Sequence, residues 1–113
     1  MAPVLLVDDV GVLREMMADA LRIQGIEVVE AADGQEAMER MGILVPSLVV
    51  LDLDMPRADG RAVHAWMLST GREGIPVLIV SANLARAPAA LPTIAKPFEL
   101  EVLLQAVATH RRN

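Results

Sequence analysis

Three short apolar runs along the chain each end in a polar residue able to do chemistry. Val4 to Val7 leads into Asp8 and Asp9, Ser47 to Leu51 into Asp52, and Ile75 to Val80 into Ser81. Unbroken apolar runs of this length suit strands covered on both faces, as in a parallel sheet. Ile26 to Val29 and Thr93 to Ala95 predict two shorter strands. Between the runs, apolar residues return at three- and four-residue spacing, the signature of amphipathic helices. Leu13, Met16, Met17, Ala20 and Leu21 predict one that ends at Gly25. Asp33-Gly34 opens a second, through Ala37, Met38 and Met41 to Gly42, and Asp59-Gly60 a third with Val63, Trp66 and Met67, closed over Gly71 to Gly74. A last helix follows Pro97, with Leu100, Leu103, Leu104 and Val107 facing inward.

Strands alternating with helices on short connections predict an α/β fold: a doubly wound, five-stranded parallel sheet in the flavodoxin-like order 2-1-3-4-5. Such sheets bind ligands beyond the carboxyl ends of their strands, where the order reverses between the first and third. Asp8, Asp9 and Asp52 stand at those two ends. With 113 residues, 54% hydrophobic and 22% charged, the chain fits one compact domain over residues 1–113.

A formal net charge of -5, with one Trp, one Phe and no Tyr, argues against direct nucleic-acid binding. The absence of cysteine excludes disulfides and thiolate metal sites. The N-terminus lacks the basic segment of a secretory signal, and the apolar runs are too short to span a bilayer. The expectation is a cytoplasmic protein without a membrane partner.

Three carboxylates converging on one sheet edge repel one another and call for a counter-ion. A hard cation such as Mg²⁺ suits oxygen ligands and leaves positions open for a phosphate oxygen. Taken alone, Asp8 and Asp9 read more readily as caps of the first helix that favour its dipole than as metal ligands. Ser81 alone reads as a turn residue, and Lys96, between the fifth strand and Pro97, as a solvated side chain. Together the acids, the hydroxyl and the ammonium make up the set that phosphoryl transfer needs around one phosphate.

The blocks Leu5-Leu6-Val7-Asp8-Asp9, Leu51 to Gly60 (Asp-x-x-Met-Pro-x-x-Asp-Gly within it), Val80-Ser81-Ala82 and Lys96-Pro97-Phe98 resemble, in order, those of response-regulator receiver domains. The resemblance spans the chain and implies a signalling switch rather than an enzyme acting on other substrates. It implies Asp52 as phosphoacceptor, with a histidine kinase or histidine phosphotransfer protein as donor and a downstream protein as target. It further implies Mg²⁺ held by Asp9, Asp52 and the Asp54 backbone carbonyl, with Asp8 acting largely through water. Ser81 would bind a phosphate oxygen and Lys96 would pair with the acyl phosphate. The Lys96-Pro97 bond would be cis. Autodephosphorylation and a phosphorylation-dependent dimer belong to the same family picture.

Two departures stand out. Only fourteen residues, Ala82 to Ala95, separate Ser81 from Lys96, and they include Pro88 and Pro92. A full crossover helix plus the fifth strand does not fit there, so the fourth helix should be short, irregular or absent. Thr93 also stands where the family usually carries the aromatic switch residue. The response should then fall on the Ala82 to Pro92 loop, with Ser81 and Thr93 as the switch positions. A haloacid-dehalogenase-type phosphohydrolase using Asp52 and Asp54 is the rival enzyme reading, and an inactive pseudo-receiver the rival interaction module. His64 and His110 read as surface residues, and Trp66 as packing.

Overall fold

The computed structural model describes residues 2–112. They form β1 (Val4–Val7), α1 (Gly11–Ile23), β2 (Val28–Ala31), α2 (Gly34–Met41), β3 (Leu48–Leu51), α3 (Gly60–Ser69), β4 (Val77–Ser81), β5 (Thr93–Ala95) and α4 (Leu100–His110). A single 3-10 turn, Leu84–Arg86, is all that stands between β4 and β5 where a crossover helix would lie. The strands make one parallel sheet in the order β2-β1-β3-β4-β5.

Period-two alternation splits the apolar runs between two cores. Val4 and Leu6 of β1, with Leu48 and Val50 of β3 and Leu78 and Val80 of β4, face Met17, Leu21, Leu103 and Val107 of α1 and α4. Leu5 and Val7, with Val49, Leu51, Val77 and Ile79, face Ala37, Met41, Val63 and Met67 of α2 and α3. Each fully buried Leu or Val adds about 1.5–3 kcal/mol against exposure, so the central strands anchor the fold.

Three details differ from the sequence pattern. β2 starts at Val28 rather than Ile26, because Ile26 closes α1 instead. Its amide donates to the Leu21 carbonyl at 3.1 Å while Gly25, at φ 79, donates to Arg22 at 2.9 Å. That is a Schellman end, and Ile26 is the apolar residue that seals it. Met16 is 51% exposed: the buried stripe of α1 runs through Met17, Ala18 and Leu21, and Met16 lies on its flank. Leu100, the first residue of α4, is also exposed, so Leu103 and Val107 carry that packing.

The loop from β3 to α3 is braced against the start of α2. Asp33 caps α2 by accepting from the Glu36 amide at 2.8 Å, and it pairs with Arg57 at 3.2 Å. Arg57 and Ala58 both have positive φ, 58 and 108. The Ala58 carbonyl comes so close to Gly34 that a side chain at position 34 would strike it. Gly34→Ala should therefore cost about 1–3 kcal/mol by forcing the loop and α2 apart. Ala58→Gly should instead stabilise by about 1 kcal/mol by removing the side chain from a disfavoured φ. Urea denaturation of both variants measures the two signs.

Candidate functional site

Register assembles the site. Val7 pairs with Ala31 on one side and Leu51 on the other, so Asp8 and Asp52 leave the sheet side by side. The Asp52 amide donates to the Val7 carbonyl at 3.1 Å. Ser81 pairs with Ala95, and the Lys96 amide donates to the Ser81 carbonyl at 2.9 Å, which turns the lysine toward the same edge. The Lys96–Pro97 peptide is cis.

One carboxylate oxygen from each of Asp8, Asp9 and Asp52 lies within 4.8 Å of the other two. Asp8 and Asp52 are 1% and 5% exposed, whereas Asp9 is open to solvent. The sequence suggests an exposed carboxylate at a strand end for Asp52, but the side chain is buried and bonded on both oxygens. Lys96 Nζ donates to Asp8 Oδ2 at 2.8 Å and to Asp52 Oδ2 at 3.3 Å. Asp8 Oδ1 accepts from the Val10 amide at 2.8 Å, and Asp52 Oδ1 from the Asp54 amide at 3.2 Å. The helix-capping alternative for the acidic pair does not hold, because Val10 is the N-cap of α1 and no side chain caps the helix.

Burial pushes the Asp52 carboxyl above its ordinary range; Lys96 and the Asp54 amide oppose that rise, and the neighbouring Asp8 adds to it. Burial also works against the charge on Lys96, but its bonds to Asp8 and the charges of both acids prevail and hold it above the usual lysine value. One ammonium thus serves two buried carboxylates, and a third stands at the rim. A pocket so short of positive charge, lined by hard oxygen donors, fits a divalent cation.

Ser81 is fully buried at the end of β4; its hydroxyl accepts from the Asn83 amide at 3.2 Å and has two acceptors in reach of its proton, the Asn83 carbonyl at 3.3 Å and Asp54 Oδ2 at 3.4 Å. Asp54 itself is exposed and Thr93 is exposed on β5, so Thr93 is not part of the cluster. His64 and His110 line a separate cleft with Ile75 and Leu91, toward the amino end of β4 and away from the acids. Trp66 packs half-buried against the second core, with the Arg72 guanidinium 4.5 Å from its ring. Arg14 escaped the sequence reading, yet its side chain reaches the Asp8 carbonyl at 2.7 Å. The available signal was its place: a cation early in a helix opposes the dipole and asks for a reason.

Residues 4–108 match the family model of the response regulator receiver domain. The chain belongs to that family. Among its relatives, the receiver is 34% identical over 112 residues to the transcriptional regulatory protein PdtaR of Mycobacterium tuberculosis, covering 92% of this chain and 54% of PdtaR. It is 37% identical over 108 residues to the response regulator MprA of Mycolicibacterium vanbaalenii, covering 89% and 46%. The receiver therefore spans about half the length of these curated relatives. Its structure is similar to that of the chemotaxis response regulator CheY4 of Vibrio cholerae, with TM-score 0.87, 28% identity and coverage of 96% and 98%. It is similar also to TrrA of Thermotoga maritima in complex with Mg²⁺-BeF, with TM-score 0.85, 25% identity and the same coverage. The relatives are regulators, which sets the phosphohydrolase reading aside. No helix among the described residues is long and apolar enough to cross a membrane.

A raised carboxyl pKa means that ionised Asp52 weakens the metal-free fold at neutral pH, and that protonation relieves it as pH falls through the folded value. Asp52→Asn in EDTA should accordingly be more stable than wild type at neutral pH. Its advantage should shrink on acidification, and Mg²⁺ should reverse the order by stabilising only the wild type strongly. Thermal denaturation with and without Mg²⁺ at two pH values reads all three effects.

Proposed function

We propose that this receiver takes a phosphoryl group from the phosphohistidine of a kinase or phosphotransfer protein onto Asp52, with Mg²⁺ bound, and later loses it to water. The observation that carries this reading is the shared geometry of Asp8, Asp9, Asp52 and Lys96 at the carboxyl edge of the sheet. Asp52 Oδ2 already contacts the ammonium at 3.3 Å, so the group that would receive phosphorus has a cation beside it.

Asp9, Asp52 and the Asp54 carbonyl are the residues that would hold the ion. Asp8, with one oxygen on the Val10 amide and the other on Lys96, would reach it through water. Bound there, Mg²⁺ supplies charge neutralisation for the transferred phosphoryl oxygens and the attacking carboxylate. An oxygen of Asp52 forms the new bond to phosphorus as the P–N bond breaks, and the departing imidazole nitrogen keeps the electron pair until it takes a proton. Lys96 then exchanges its contact with Asp52 for one with a phosphate oxygen. Ser81 Oγ, held weakly by Asp54, turns to another. Hydrolysis returns the carboxylate and inorganic phosphate.

That last exchange is the switch. Ser81 precedes the segment 82–92, which is tied to β4 at its two ends, by Asn83 with Ser81 Oγ at 3.2 and 3.3 Å and by the Pro92 carbonyl with the Ile79 amide at 2.9 Å, and between them holds itself with few bonds: the Leu84–Arg86 turn, Ala85 N to Asn83 Oδ1 at 3.1 Å, and Ala87 N to the Leu84 carbonyl at 3.0 Å. Leu84, Ala87 and Leu91 pack only partly on the second core. A segment so lightly held opens at low cost, and an inward pull on Ser81 orders it. A downstream protein would read that order. The same logic leaves Thr93 as an exposed neighbour of the moving loop rather than a buried rotor.

Wild-type protein incubated with a small phosphodonor and Mg²⁺ should gain one phosphoryl group, labile to alkali and hydroxylamine as an acyl phosphate is, that maps to Asp52, and Asp52→Asn should gain none. Mapping to Asp54 or Asp59, or turnover of many donor equivalents without a retained phosphoryl group, would sink the reading. Lys96→Ala should bind Mg²⁺ at least as tightly, having lost a competing cation, while both it and Ser81→Ala bind beryllofluoride at least about tenfold more weakly. Amide exchange over Ala82 to Pro92 should be fast in the free protein and slow with beryllofluoride and Mg²⁺. Strong protection in the free state would refute the loop as the switch.

A further inference from the structure

Arg14 lies in the opening turns of α1, beside the acids rather than among them, and on charge alone it would oppose a cation there. Its bonds suggest another use. Nη1 donates to the Asp8 carbonyl at 2.7 Å and Nε to Glu30 Oε1 at 3.1 Å. Glu30 sits on β2 and is held in turn by Arg22 at 3.4 Å. The side chains of Arg14 and Glu30 are only 18% and 27% exposed, so the pair is shielded more than an ordinary surface ion pair.

Asp8 is where the chain leaves β1 for the turn that carries Asp9. Its amide donates to the Ala31 carbonyl at 3.2 Å, Oδ1 accepts from Val10, and Oδ2 from Lys96. The carbonyl is the remaining polar group, and Arg14 takes it. α1 also starts without a side-chain cap, so no capping bond orients this turn from the helix side. Through Arg14 the turn is tied instead to Glu30 and the edge of the sheet.

We propose that Arg14, anchored by Glu30, is a positioning residue that sets the Asp8–Asp9 turn for cation binding. This rests on the reading of the acids as a Mg²⁺ site. Interactions that support metal ligands without touching the metal are worth about ten- to a hundredfold in affinity, and one carbonyl contact belongs at the lower end. Charge and geometry make opposite demands here. If Arg14 acted only by its charge, removing it would tighten Mg²⁺ binding and removing Glu30 would loosen it. As a clamp, loss of either partner loosens it.

The test is Mg²⁺ titration by calorimetry on the full chain, with amide exchange at Asp9 and Val10 measured in EDTA. Arg14→Ala should weaken Mg²⁺ binding about tenfold and speed exchange at both amides. Arg14→Lys, which keeps a donor for the carbonyl, should recover most of the affinity. Glu30→Ala should weaken binding by less than Arg14→Ala, and the double variant should be no weaker than Arg14→Ala alone, because both act through one contact. Glu30→Gln keeps an acceptor without the charge and should resemble wild type. Should Arg14→Ala fail to fold, the contrast between Glu30→Gln and Glu30→Ala carries the same decision. Unchanged or tighter binding in Arg14→Ala, additive losses in the double variant, or equal losses in the two Glu30 variants would overturn the clamp. Wild-type protein that bound no Mg²⁺ would overturn the metal site itself, a result separate from these.

Discussion

Asp8 and Asp52 are buried side by side because Val7 and Leu51 are partners in the sheet, and the ammonium of Lys96 between them is what makes that burial tolerable. Two carboxylates out of water would otherwise take up protons. The lysine comes late in the chain, carried by β5, so the charge balance of the site depends on the register of β1, β3, β4 and β5. The remaining deficit, with Asp9 at the rim, is the reason the pocket suits a divalent cation and a phosphate together.

Around that balance, the polar groups of the edge are bound in a way that separates fixed parts from exchangeable ones. Asp8 is held through its amide and one carboxylate oxygen by backbone, and through its carbonyl by Arg14. Asp52 gives one oxygen to the Asp54 amide and shares the other with Lys96. Ser81 accepts from the Asn83 amide at 3.2 Å and shares its own proton between the Asn83 carbonyl at 3.3 Å and the exposed Asp54 carboxylate at 3.4 Å. The bonds to the Asp8 carboxylate and carbonyl, at 2.7–2.8 Å, are the short ones, and those of the Asp52 and Ser81 side chains run from 3.2 to 3.4 Å.

The shortened connection between β4 and β5 changes how such a switch would be read. A packed crossover helix would bring its own buried stripe and move as a body. Here Leu84, Ala87 and Leu91 give the second core only partial cover, and β5 is three residues long with Thr93 exposed. The energy available to resist an inward pull is correspondingly small.

Much of this was legible in the residues themselves. Unbroken apolar runs ending in Asp8, Asp52 and Ser81 marked the central strands, since a strand buried on both faces needs an apolar side chain at every position. Pro88 and Pro92 within fourteen residues ruled out a regular helix, because neither ring can join its hydrogen bonds. The crossover rule made the sheet parallel, and five alternating strands in a chain of this size suggested the flavodoxin-like order, and with it the meeting of acids and lysine at one edge. What only the tertiary structure decided was degree and pairing. Whether Asp52 is open or buried is set by what packs around the strand end, and the structure buries it against Asp8 and Lys96. Ile26 looks like a strand residue until the end of α1 claims it. Arg14, one cation among ten in the sequence, is bonded to a carbonyl in the turn after β1 and to a carboxylate on β2, and no local pattern encodes a contact between three separate segments.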